Sequence, residues 1–325
     1  MQVESNFAQN LLSPLVSFIV PIYNLPIDYI KECLESILSL SLNIREREII
    51  LVDDGSDVSP VNELSDMIND IIYIRQSNQG LSAARNTGIQ MAREQYIQFI
   101  DGDDCLLRAP YEQCLDIVRY HKPDLVIFKG SHKKQSKVPY DFRGPFSGRE
   151  YMRDNNLRAP VWGYIFRTKI LGSLRFTVGN ATEDEEFTPQ LLLRCEQVYE
   201  SPAEAYFYRQ HSHSLTHNTS KASKEKRLTD TEKVILHLRY LAERMPEADR
   251  VALNRRIAQL TMDLLYNTIV YTRSSQQLEQ TIERLHQRGL FPLPAKDYTK
   301  KYHLFRKLIG TKTGRKILLY TLGRL

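Results

Sequence analysis

The chain has 325 residues, 42% hydrophobic and 26% charged, an ordinary globular composition with enough material for one large domain or two smaller ones. Its formal net charge of +5 is unevenly placed: from Lys296 onward there are nine Lys or Arg against one acid, Asp297, which puts the end at +8 and the remainder at −3. A basic patch confined to one end argues against a nucleic-acid-binding body and points to an anionic surface partner for that end alone.

In chain order, residues 16–22 are a short apolar run that predicts a strand. Asp28 is placed to cap a helix whose Ile30, Cys33, Leu34, Ile37 and Leu38 follow the spacing of one buried face. Strands are predicted at 48–52, 71–74 and 96–100, and a helix over 81–92 with Leu81, Ala84, Gly88 and Met91 inward. A helix over 111–120 and a strand over 124–128 continue the alternation, which builds a parallel sheet with helices on both faces. Residues 129–149 are polar, with scattered Pro and Gly, and read as a loop. After a mixed stretch over 149–210, helical periodicity returns across 223–288, for example at Ile257, Leu260 and Leu264. That region predicts a helical appendage ending in the basic tail.

Two of these strands end in acids. Residues 96–100 run into Asp101-Gly102-Asp103-Asp104, and residues 48–52 into Asp53-Asp54-Gly55-Ser56. Clustered carboxylates repel, and they persist together when a cation sits among them, usually a hard divalent metal carrying a phosphate. One acidic turn alone reads as a bend. Two strands ending alike point to one ligand site at the carboxyl edge of the sheet. A dinucleotide site is disfavoured, because Pro21-Ile22-Tyr23-Asn24 stands where a Gly-rich turn would follow the first strand. His211 and His213 lack the spacing and cysteine company of a zinc site. The cysteines, Cys33, Cys105, Cys114 and Cys195, form no Cys-x-x-Cys pair and read as reduced, mostly buried thiols. No run of apolar residues is long enough to span a bilayer, and residues 1–15 lack the pattern of a secretory signal.

Four segments, Val16-Ser-Phe-Ile-Val-Pro-Ile-Tyr-Asn24, Ile50-Leu-Val-Asp-Asp-Gly-Ser56, Asn78-Gln-Gly-Leu-Ser-Ala-Ala-Arg-Asn-Thr-Gly88 and Phe99-Ile-Asp-Gly-Asp-Asp104, resemble the successive signatures of the family 2 glycosyltransferases. Each is soft alone, but four in this order and spacing are specific. The resemblance covers about residues 16–214 and implies a GT-A fold: α/β, a mixed, mostly parallel sheet flanked by helices, to which the periodicity adds a C-terminal helical appendage. It implies a catalytic domain over 1–220, with a nucleotide-sugar half at about 14–130 and an acceptor half at 131–220; the helical region over 221–325 rests on periodicity alone.

The resemblance also assigns roles. Pro21 and Tyr23 would floor the nucleotide pocket, Tyr23 stacking on the base; Asp54 would accept from the uracil N3–H; Asp53 would cap the turn. Asn78 and Arg85 would reach the base or phosphates, and Asp101 the ribose or sugar hydroxyls. Asp103, with Asp104 nearby, would hold Mg²⁺ or Mn²⁺ at the diphosphate. Inversion needs a base, and the resemblance places Asp184 there, with Glu183 and Trp162 at the acceptor or donor sugar. Acids also gather at helix N-termini for dipole reasons alone. Arg209 lies in a loop, 208–214, similar to one that closes over the diphosphate.

The function so implied is metal-dependent, inverting transfer of a sugar from a nucleotide, UDP above all, to a saccharide or lipid-linked saccharide in surface polysaccharide synthesis. The expected location is cytoplasmic, with peripheral membrane contact through the tail. A sugar-nucleotide nucleotidyltransferase is the alternative enzyme, though it carries a Gly-rich loop after its first strand. A non-catalytic sugar- or membrane-binding module on a decayed fold is the other, and retention of Asp54, Asp101, Asp103 and Asp184 together argues against it.

Overall fold

The computed structural model describes residues 15–134, 140–210 and 220–322. His211, His213 and the rest of the 208–214 loop after Gln210 lie outside the described residues, as does Arg324. The chain divides into two compact units, one comprising Met1–Gly148 and Arg158–Ser214, the other Arg149–Leu157 and Leu215–Leu325.

In the first unit the described strands form one mixed sheet. They are β1 (Val16–Ile22), β2 (Arg47–Asp53), β3 (Ile72–Arg75), β4 (Tyr96–Phe99), β5 (Cys105–Leu106), β6 (Leu125–Ser131), β7 (Arg143–Phe146), β8 (Tyr164–Arg167) and β9 (Val198–Phe207). Their order is β3-β2-β1-β4-β8-β6-β9-β5, with β7 paired to β9. β1 runs parallel to β2 and β4, and β2 to β3. β8 is antiparallel to both β4 and β6, which joins the parallel half to a second half in which β9 runs parallel to β6. β1 is buried along its whole length, which is why it reads as a continuous apolar run and not as an alternation. In register Ile22 pairs with Asp53, so the acid-bearing ends of β2 and β4 emerge at one edge beside the end of β1.

Helices α1 (Ile27–Leu38), α2 (Leu81–Met91), α3 (Arg108–His121) and α5 (Glu183–Leu192) belong to this unit. Ile30, Cys33, Leu34 and Ile37 of α1 are buried, as the periodicity requires. Asp28 is not its cap: Pro26 holds that position and Asp28 sits in the first turn, where a carboxylate still favours the helix dipole. α2 packs against β1 so closely that a Cβ on Gly88 would come 2.2 Å from Ile19 Cγ2. The stretch read as a loop over 129–149 holds the end of β6 and all of β7. β7 is a short outer strand containing Gly144 and Pro145; an edge position tolerates the proline and glycine weakens a strand, so its composition mimics a loop. All four cysteines are free and buried, as expected of reduced structural thiols.

The second unit is helical. Residues 149–157, which hold most of α4 (Gly148–Asp154), join α6 (Lys221–Ala242), α7 (Glu247–Thr272), α8 (Ser275–Gln287), α9 (Lys300–Ile309) and α10 (Lys312–Leu322). α6 and α7 pack together through residues such as Val234, Leu238, Leu253, Leu260, Leu264 and Leu265, all at most 2% exposed. Arg256 of α7 is buried and donates from Nη1 to the Leu157 carbonyl at 3.0 Å, and Gln259 Nε2 donates to Asn156 Oδ1 at 2.6 Å. The basic tail is therefore helical, and Tyr302, Phe305, Ile309 and Leu318 turn its inner face into this core. No helix among the described residues is long and apolar enough to cross a membrane.

Candidate active site

The ends of β1 and β2 are tied to each other. Asn24, with φ 47°, donates its N–H to Ser56 Oγ at 2.9 Å, and its side chain exchanges hydrogen bonds with Asp57. Pro21 is buried within β1, while Tyr23 at its end is 48% exposed. Asp53 is wholly buried and caps the turn, its Oδ1 accepting the Ser56 N–H and its Oδ2 the Tyr73 hydroxyl, both at 2.8 Å. Asp54 holds the next loop: Oδ1 accepts from Gln76 Nε2 at 2.7 Å and the Gln79 N–H at 3.0 Å, and Oδ2 accepts the Gly80 N–H at 2.7 Å. That loop presents Asn78 to solvent. Gly55 is required here, because its φ is +77° and a Cβ would approach Asn78 N to 2.8 Å.

The turn after β4 is bound from two sides. Arg85, on the buried face of α2, is 2% exposed. Its Nη2 donates to Asp101 Oδ1 at 3.0 Å, and its Nη1 to Glu183 Oε1 and Asp184 Oδ1, both at 2.9 Å. One buried guanidinium thus joins the acid turn to the first turn of α5. Its carbon lies 5.9 Å from the Phe99 ring centroid and 5.5 Å from that of Phe176, which stacks on Phe187 at 4.0 Å. The second Asp184 oxygen accepts the Val161 N–H at 3.1 Å. Burial, reinforced by Glu183 and Asp101, outweighs Arg85 and pushes the Asp184 carboxyl up to about 7. Burial likewise raises Asp101.

On the other side of the turn, Asp104 is 1% exposed and its Oδ1 accepts the Arg209 N–H at 2.7 Å. Burial, then Asp101 and Asp103, push its carboxyl up to about 8. Arg209 Nε donates to the Asp103 carbonyl at 2.7 Å, and the guanidinium pairs with Glu32 of α1 and stacks 4.3 Å over Tyr29. Trp162 is half-buried and stacks on Tyr206 at 4.4 Å, and the Tyr206 hydroxyl accepts the Asp101 N–H at 3.0 Å.

Asp101, Arg85, Glu183 and Asp184 therefore meet, and Asp103, Asp104 and Arg209 border the same turn. Tyr23, Asp54 and Asn78 stand at the neighbouring strand end. Sequence reasoning missed Tyr206, Glu32 and Gln76, and it missed that Arg85 braces other acids. A signal for Arg85 existed: it lies four residues after Leu81 and three before Gly88, on the inward stripe of α2.

Removing Arg85 should be costly. Arg85→Met leaves three carboxylates facing one another, and loss of one partner from a buried ion cluster costs about 3–5 kcal/mol. Calorimetry is expected to show the midpoint falling by several degrees at pH 8 and by less at pH 5.5, where Asp184 takes up a proton. A midpoint unchanged at pH 8 refutes the bracing role.

Residues 17–175 match the family described as Glycosyl transferase family 2. Among curated relatives, the glycosyltransferase EpsJ of Bacillus subtilis is 32% identical over 220 residues, 62% of this chain. The match spans 63% of EpsJ, so the chain covers under two thirds of that relative's length. Among solved structures, S. aureus TarS 1-349 in complex with UDP-GlcNAc superposes with a TM-score of 0.65 at 18% identity, over 95% of this chain and 89% of that one. The mannosyltransferase PcManGT from Pyrobaculum calidifontis, in complex with GDP-Man and Mn²⁺, superposes at 0.56 with 15% identity, over 96% and 87% of the two chains. At such identities the likeness is one of fold, and that fold is the GT-A-like architecture the four motifs imply. Motifs, sheet order and relatives agree in likening residues 17–175 of this chain to the family 2 glycosyltransferases.

Proposed function

We propose that this chain is an inverting, metal-assisted glycosyltransferase that moves a hexosyl or N-acetylhexosaminyl group from a UDP-sugar to a saccharide or lipid-linked saccharide during surface polysaccharide synthesis. The observation that carries the reading is Arg85, which brings the acid turn and the Glu183–Asp184 pair onto one buried cation at 2.9–3.0 Å. Donor and acceptor chemistry need those two groups side by side. TarS was solved with UDP-GlcNAc, which supports a UDP-linked donor.

In this reading Asp184 takes the acceptor hydroxyl proton. The acceptor oxygen bonds the anomeric carbon as the bond to the diphosphate breaks, and that electron pair leaves with the nucleotide. A carboxyl at about 7 suits a base at neutral pH. Arg85 and the Val161 N–H fix its orientation. Glu183 and Trp162 flank the sugars, and Asp101 takes sugar or ribose hydroxyls. Tyr23 stacks on the base over Pro21, while Asp54, Asn78 and Arg209 hold the base and diphosphate side.

In this reading Mg²⁺ or Mn²⁺ would bind at this turn, where Asp101, Asp103 and Asp104 crowd together. Asp104 is pushed up to about 8 partly by Asp101 and Asp103, a repulsion that a divalent cation offsets. Among the described residues no group of three or more His, Cys, Asp or Glu forms a metal cage. Asp103 and Asp104 would therefore supply one or two carboxylates and the diphosphate the remaining oxygens. A cation held there would offset charge building on the leaving diphosphate. PcManGT was solved with Mn²⁺.

A thermal-shift panel of UDP-, GDP- and dTDP-sugars, with and without Mn²⁺, tests the reading. A UDP-sugar at 100 times its Kd is expected to stabilise by about 2.7 kcal/mol, more with Mn²⁺ than without. A response to GDP-sugars alone overturns the UDP assignment, and no response to any nucleotide sugar overturns the function.

A further inference from the structure

The helical unit ends in a hairpin with two unlike faces. α9 caps itself at Thr299, whose hydroxyl accepts the Tyr302 N–H at 3.0 Å, and α9 and α10 are joined through Gly310 and Thr311. The helices touch at Gly314, where a Cβ would lie 2.1 Å from the Leu308 carbonyl oxygen, so only glycine permits the approach. The inner face is covered by its own unit: Tyr302 and Ile309 are at most 1% exposed, and Phe305 packs 6.5 Å from Tyr266 of α7.

The outer face is different. Residues 300–322 hold seven Lys or Arg and no Asp or Glu. Of these, Lys300, Lys301, Lys307, Lys312 and Lys316 are exposed, while Arg315 is spent on Glu279 at 2.5 Å. Large apolar side chains stand among the lysines: Leu304 is 61% exposed, Ile317 47% and Tyr320 62%. Only two other large hydrophobics of the helical unit are comparably exposed among the described residues, Tyr240 and Val251. Lys300, Leu304 and Lys307 recur at four- and three-residue spacing, and Lys316, Ile317 and Tyr320 share a face of α10, so charge and apolar surface lie together on each helix.

We infer that this hairpin is a docking face for the surface of a lipid bilayer rich in anionic headgroups. Cationic side chains meet the headgroup phosphates while Leu304, Ile317 and Tyr320 enter the boundary of the acyl region, a combination suited to interfacial helices. A soluble polyanion would use the lysines and gain nothing from exposed Leu and Ile. The face is already folded, because the inner side is packed and Gly314 locks the two helices, so docking orders no new backbone. The inference is independent of which sugar the protein transfers, and its readout is sedimentation, not activity.

The test uses the full chain with vesicles of phosphatidylcholine alone or with phosphatidylglycerol added. Wild type is expected to sediment with the anionic vesicles only and to be released by molar salt. Combined K300E, K307E, K312E and K316E should weaken vesicle binding more than about tenfold while the thermal midpoint stays put, since all four side chains are exposed. Combined L304S and I317S, with charge intact, should also weaken it. Equal sedimentation with neutral vesicles, or no change on charge reversal, overturns the inference. So does wild-type binding by the Leu and Ile variant, which assigns the attraction to polyanions in general.

Discussion

Asp184→Asn is expected to cut turnover by roughly 10²–10⁴-fold, the usual scale for removing a general base. The substitution keeps size and can still accept the Val161 N–H, so donor affinity should remain near wild type. It also neutralises one of three carboxylates around Arg85, so the fold should survive without a large loss of stability. The wild-type rate is expected to show an acidic pH limb. Asp184 must be deprotonated to accept a proton, and its carboxyl sits at about 7, so kcat should rise with pH through neutrality and then level off. In Asp184→Asn that acidic limb should vanish along with most of the rate. Steady-state kinetics from pH 5.5 to 8.5 measure both effects. A variant within a few-fold of wild type, still rising through pH 7, assigns Asp184 to the helix start alone and moves the base elsewhere.

Asp103→Asn is expected to uncouple nucleotide binding from metal. Its turn already crowds three carboxylates, and Asp104 is raised to about 8 by burial and then by Asp101 and Asp103. Removing one charge lowers the repulsion and with it the local demand for a cation. Calorimetric titration of UDP should show Mn²⁺ strengthening binding to wild type and adding little to the variant. The loss with Mn²⁺ present should be at least the roughly 10–100-fold that removal of an outer-shell partner costs at metal sites. Transfer should fall to background, and the thermal midpoint of the unliganded protein should hold or rise, because the change relieves like-charge contact. Full activity of the variant in chelator sinks the metal role of Asp103.

The local parts of this protein were legible in its sequence, because each is set by residues close together in the chain. The apolar run of β1 and the stripe Ile30, Cys33, Leu34, Ile37 name buried faces directly. Gly55 and the acids after β2 and β4 announce turns at one sheet edge, and parallel pairing of β1 with β2 and β4 follows from the strand–helix alternation. The periodicity at Ile257, Leu260 and Leu264 likewise foretold the long helix α7. Edge strand β7 was missed because an edge position tolerates the Gly and Pro that otherwise signal a loop.

Only the tertiary structure decided what the charged residues are joined to. Arg85 reads as a ligand-reaching cation, yet its partners include Asp184, 99 residues away, and Asp104 takes its hydrogen bond from Arg209 across 105 residues. The tail reads as uniformly basic and apolar, and packing alone separated Phe305 and Ile309 inside from Leu304 and Ile317 outside. Hydrophobic periodicity is a local code that names which side is buried. The choice of ionic partner depends on distance in space and on burial, which strengthens an ion pair and penalises an unpaired charge, and no short window of sequence contains either quantity.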